Sequence, residues 1–91
     1  MAEIVFSPHA QLQLTERNIS EGEILEVMGN PIKVARQPNG RFQALKMREL
    51  EGRKYLLTVV YEEVGPVQEI VTAFYTSKIH KYLWNFIMIK K

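Results

Sequence analysis

An α+β domain is what this sequence predicts, with two N-terminal helices packed on a curved, mostly antiparallel sheet and a further helix at the C-terminus as an open alternative. Three observations predict it. Capping residues at Ser7 and Ser20 open two short helical segments. After Pro31 the patterning changes from helical to extended, with turn signals at regular intervals. Residues 54–61 and 68–76 are β-branched and aromatic on both alternating faces, the composition of strands buried on both sides. The 91 residues fit one domain spanning 1–91, because a chain of this length has surface for only a single core.

The elements follow in order. Glu3–Phe6 reads as a short strand. Ser7 supplies an N-cap hydroxyl and Pro8 is preset for a first helical turn, so a helix is expected from Pro8 to Arg17, ended by Asn18 in the left-handed region. Ser20 and Glu23 form a capping box for a second helix, Glu21 to Met28, which Gly29-Asn30-Pro31 stops. Lys33–Arg36 and Arg41–Arg48 are expected strands around a turn at Pro38-Asn39-Gly40, and Glu51-Gly52 makes the next turn. Lys54–Tyr61 should lie centrally and pair antiparallel with Gln68–Thr76 across Gly65-Pro66. Beyond Ile79, Tyr82, Leu83, Phe86 and Ile87 recur at helical spacing, while Phe86–Ile89 equally suits a strand. With Trp84 and Ile89 these residues are expected to bury surface against a partner protein or a second copy of the chain.

The net charge of +2 conceals a division along the chain. Residues 1–30 carry Glu3, Glu16, Glu21, Glu23 and Glu26 against Arg17, whereas residues 31–60 carry Lys33, Arg36, Arg41, Lys46, Arg48, Arg53 and Lys54 against Glu49 and Glu51. A basic middle suits a phosphate backbone, and the plainer alternative is a set of strand edges guarded against pairing by Lys and Arg. With no cysteine there is no disulfide, thiolate metal site or thiol nucleophile. With no aspartate, two-metal phosphoryl chemistry is a poor fit, and no cofactor motif is present. A nuclease here would have to be metal-independent, using the 2′-hydroxyl of RNA, so RNA is the expected nucleic acid. No secretory signal or bilayer-spanning run is seen, and a cytoplasmic setting without a membrane partner is expected.

Two groups of residues carry candidate chemistry. His9, Gln13 and Arg17 recur at i, i+4 and i+8 on one helical stripe, His9 suited to acid or base work and Arg17 to holding a phosphate; the plainer role is that of ordinary helix-end residues. Thr72-Ala-Phe-Tyr-Thr-Ser-Lys78 gathers hydroxyls and an ammonium at a strand end, where Thr72, Tyr75, Ser77 and Lys78 can meet an anion, although Thr and Tyr are also ordinary strand residues.

The series Phe6-Ser7-Pro8-His9-Ala10, Glu16-Arg17-Asn18-Ile19-Ser20, Asn30-Pro31, Gly52-Arg53-Lys54-Tyr55-Leu56 and Val71-Thr-Ala-Phe-Tyr-Thr-Ser-Lys78 resembles a small uncharacterised prokaryotic domain family with Ser-x-His-Ala and Glu-Arg-x-Ile motifs. More remotely it is similar to BrnT and RelE/ParE-type toxins. That resemblance implies a RelE-like architecture, a metal-independent endoribonuclease or RNA-binding activity, and an antitoxin partner. On that expectation His9, Arg17, Lys54 and Lys78 are catalytic, while Arg41, Arg53, Thr72, Tyr75 and Ser77 bind substrate. Where the related pattern His-Ala-x-x-Arg carries arginine this chain has Gln13, which removes one phosphate contact and leaves a non-catalytic interaction module or homodimer as the alternative.

Overall fold

The computed structural model describes residues 3–82 in the order β1 (Glu3–Phe6), α1 (Pro8–Glu16), α2 (Glu21–Gly29), β2 (Lys33–Arg36), β3 (Phe42–Leu50), β4 (Arg53–Val64) and β5 (Val67–Thr76). A single helical turn follows at residues 79–82. The caps act as the side chains dictate. Ser7 Oγ accepts the Ala10 N–H, Ser20 and Glu23 close a reciprocal capping box, and Asn18 takes φ 58° where α1 ends. Substituting Ser20 by alanine opens the box and is expected to cost about 1 kcal/mol, measured by urea unfolding.

The expected class, two N-terminal helices on a mostly antiparallel RelE-like sheet, is corrected by the strand arrangement. Strand dominates the chain, and one five-stranded mixed sheet runs β1-β5-β4-β3-β2. β1 pairs parallel with β5, from Glu3 opposite Val67 to Phe6 opposite Ile70, while the other three pairings are antiparallel. The helices therefore form the connection from one edge strand, β1, to the other, β2, and the turn at 79–82 adds a third helical piece. A four-residue strand carries no residue that specifies its partner, so the sequence does not distinguish this parallel pairing from an antiparallel one. The alternatives for residues 79–89, and the contact expected of Leu83, Trp84, Phe86, Ile87 and Ile89, lie outside the described residues except for that turn.

β4 is the middle strand, and its residues 56–61 are buried on both alternating faces. One face carries Leu57, Val59 and Tyr61, joined by Ala44, Ile70 and Ala73 and covered by Ala10 and Leu14 of α1, Ile19, and Ile24 and Val27 of α2. The opposite face carries Leu56, Thr58 and Val60, with Leu45 and Phe74 directly beside Thr58 on the flanking strands. Thr58 is fully buried, and its hydroxyl has no hydrogen-bond partner among the described residues. Replacing it with valine removes an unpaired buried hydroxyl, and we expect stability to rise by about 1 kcal/mol and the melting temperature by roughly 4–8 °C. Differential scanning calorimetry reads the shift. No helix among the described residues is long and apolar enough to cross a membrane.

Candidate functional site

The apolar stripe of α2 settles Ile24 and Val27 into the core, and this rotation leaves Glu23, Glu26 and Asn30, at i, i+3 and i+7, along one margin of the helix. Each meets a different polar side chain of the sheet. Tyr75 on β5 donates its hydroxyl to Glu23 Oε2, and Arg48 on β3 donates to Glu26 Oε1 at 2.6 Å. Lys46, two residues before Arg48, donates to the Asn30 carbonyl at 3.2 Å at the end of the helix. Tyr55 on β4 is the cross-strand neighbour of Arg48, and its ring stands edge-on to Tyr75 at 6.2 Å between centroids. Tyr55 and Tyr75 are half-buried, and Arg53 on the same alternating face is exposed. The result is a shelf of two aromatic rings with guanidinium groups beside them, bounded by α2.

Electrostatics fix the protonation of this shelf. Burial opposes ionisation of Glu23, but the bonds from Tyr75, from the Ser20 backbone and side chain, and the charge of Arg48 outweigh it and hold the carboxyl below its usual value. Burial, the bond to Glu23 and its charge push the Tyr75 hydroxyl up to about 12, against a smaller opposing effect of Arg48. A depressed carboxylate is a weak base and a raised phenol a weak acid, so neither is matched to proton transfer near neutral pH. Both shifts make stability depend on pH. The Glu23 contribution is complete above the usual carboxylate range and is lost as pH falls below it. The Tyr75 contribution is complete below its ordinary value of 10.0 and is lost as pH rises toward about 12. The melting-temperature gap between the wild type and Tyr75→Phe is therefore expected to be widest at intermediate pH and to narrow at both extremes.

A second polar cluster lies on α1. β1 stops opposite Ile70, so β5 beyond that point lacks a strand neighbour on this side among the described residues. Arg17, the C-cap of α1, takes that place, donating to the Thr72 hydroxyl at 3.0 Å and to the Ala73 carbonyl at 2.7 Å. Thr72 in turn donates to Gln13 Oε1. Arg17 and Lys46 are thus both positioned by neutral acceptors, which orient a cation without cancelling its charge.

The sequence-derived candidates are divided by this geometry. Arg17 and Thr72 meet, together with Gln13. Tyr75 sits on the shelf, two residues beyond Ala73 on the same face of β5. His9 is exposed in the first turn of α1, where Ser7 bonds to the Ile70 carbonyl, whereas Ser77 and Lys78 follow the far end of β5. Six residues of extended chain separate Ile70 from Thr76, roughly 20 Å at ~3.3 Å per residue, so His9 and Lys78 do not share one proton-transfer constellation. Lys54 pairs with Glu49 and projects on the face away from the helices, beside a groove lined by Met47, Arg48, Glu49 and Lys54. Arg41 lies at the opposite end of the sheet, 3.5 Å from Glu62. Glu23, Glu26, Lys46, Arg48 and Tyr55 were not among the candidates. The signal available for them is the i, i+3 spacing of Glu23 and Glu26 beside the apolar pair Ile24 and Val27. Among the described residues no group of three His, Cys, Asp or Glu side chains is placed to hold a metal ion.

A family model described as "Domain of unknown function (DUF4258)" matches residues 6–79. That range takes in α1, α2, all of β2 to β5 and hence every residue of the shelf. No significant match to a curated protein or to a solved structure was found.

Proposed function

The chain belongs to this family, DUF4258, and from the shelf beside α2 we propose that it binds single-stranded RNA without cutting it. The observation that carries this reading is the pairing of Tyr55 and Tyr75 with Arg48, Arg53 and Lys46 on one face of the sheet. Bases stack on aromatic rings whatever their sequence, and cations nearby follow the phosphates. Arg17, anchored on neutral groups at the β5 edge, adds a further uncancelled charge. The remote likeness to BrnT and RelE/ParE-type toxins rests on a layout that the mixed sheet corrects, so the ligand class rests on the shelf alone, since single-stranded RNA offers unstacked bases and phosphates together. Catalysis has less support, because His9 and Lys78 stand at different ends of β5 and the Tyr75–Glu23 pair is tuned away from proton transfer.

The test uses a fluorescently labelled single-stranded RNA of mixed sequence, followed by anisotropy, with the RNA recovered afterwards and sized on a gel. The expected result is saturable binding with intact RNA in the presence of a chelator. Binding with progressive cleavage would replace this reading by the ribonuclease one, and the absence of binding would remove both.

A further inference from the structure

β2 is an edge of the sheet, and its pairing with β3 decides which of its backbone groups are engaged. The Gln37 N–H is donated to the Arg41 C=O at 2.7 Å, which makes Gln37 and Arg41 a hydrogen-bonded pair of the ladder. Backbone groups of an antiparallel strand point alternately to either side, so Ala35 and Lys33 also turn theirs toward β3. The N–H and C=O of Val34 and Arg36 therefore point outward, where no strand lies among the described residues. The usual safeguards of a strand edge are thin here. Residues 33–36 contain no proline, and the Arg36 guanidinium lies 5.9 Å from the Phe42 ring, drawn inward over β3. Ile32 and Val34 are 48% and 47% exposed.

We propose that this edge pairs with the same edge of a second copy of the chain, β2 antiparallel to β2 about a two-fold axis at Ala35. In that register Val34 faces Arg36 of the second copy on both sides of the axis, and every outward N–H and C=O of the strand finds a partner. The side chains suit one another as well. Ala35 meets Ala35 at the axis, Lys33 meets Gln37, Val34 lies diagonal to Val34, and no two cations stand directly opposite. The neighbouring two-fold registers fail. An axis at Val34 sets Arg36 against Ile32, whose N–H is already given to the Leu45 C=O at 2.8 Å. An axis at Arg36 puts two guanidinium groups opposite one another and turns Val34 toward Pro38, which has no N–H. The edge is thus complementary to itself in one register, which is the property that selects a second copy as its occupant. A four-residue strand makes a small contact of the transient class, so association follows concentration. This inference is independent of the RNA reading.

The test follows mass by light scattering on the whole chain over a wide concentration range, with circular dichroism to verify the fold of each variant. The wild type is expected to pass from the mass of one chain to twice that mass as concentration rises. Val34→Lys, a change at an exposed position, sets a lysine opposite Arg36 of the second copy and should hold the protein at the mass of one chain. Adding Arg36→Glu to Val34→Lys places opposite charges across the seam and should restore the doubled mass. A wild type that keeps the mass of one chain up to about 1 mM overturns the proposal and leaves the edge to a strand of another protein. A dimer that Val34→Lys does not weaken, or a folded double variant that stays at the mass of one chain, overturns it too.

Discussion

Substituting Tyr55 by alanine is expected to weaken the binding of single-stranded RNA by about tenfold to a hundredfold, since the loss of one base–aromatic stack is worth roughly 1–3 kcal/mol. Tyr55 is chosen over Tyr75 because its hydroxyl takes part in no hydrogen bond found among the described residues, whereas Tyr75 also ties β5 to α2 through Glu23. Tyr55→Phe keeps the ring and should bind within about twofold of the wild type, an energy of roughly 0.4 kcal/mol. Anisotropy titrations of the three proteins, with circular dichroism to verify folding, check this. Equal affinity for Tyr55→Ala and the wild type would show that no base stacks on the shelf.

Substituting Ile24 by alanine is expected to have the largest effect on stability. Ile24 is fully buried and lies on α2 immediately after Glu23, so it anchors the helix that bounds the shelf. Truncating a buried isoleucine to alanine costs roughly 2–5 kcal/mol, lost transfer energy plus the cavity left behind. Domains of this size are stable by only about 5–15 kcal/mol, so the change consumes a large share of the total. Urea unfolding should show a lower midpoint with an unchanged slope. A loss below about 1 kcal/mol would mean that α2 is not held by its apolar stripe.

Local structure was legible in the sequence wherever one side chain dictates one backbone event. Ser7, Ser20 with Glu23, Asn18, and the turns at Gly40, Gly52 and Gly65 each stand where their chemistry placed them. The hairpin of β4 with β5 was legible for the same reason, because two strongly alternating segments meet at Gly65-Pro66. The fold class was not. It turned on β1, whose four residues contain nothing to distinguish a parallel partner from an antiparallel one, and on the helices crossing from one sheet edge to the other. At the site, Arg17 and Thr72 were both singled out, and the structure joins them through a direct hydrogen bond across 55 positions of sequence. The basic middle was legible as composition but not as surface. Successive strand residues alternate between faces, which sends Lys46, Arg48 and Arg53 to the helix side and Lys54 to the other, while Arg41 lies at the far end beside Glu62.

The central claim is that cations of the shelf and its margin follow an RNA backbone, and the salt dependence of binding tests it most directly. With Arg17, Lys46 and Arg53 as the three cations of the shelf and its margin that form no salt bridge among the described residues, the logarithm of affinity should fall with the logarithm of salt at a slope of about −2, near −0.7 for each phosphate neutralised on a single strand. Arg53→Gln leaves the caps and core untouched and should reduce that slope by about 0.7. A slope near zero, or one that Arg53→Gln leaves unchanged, would contradict the account.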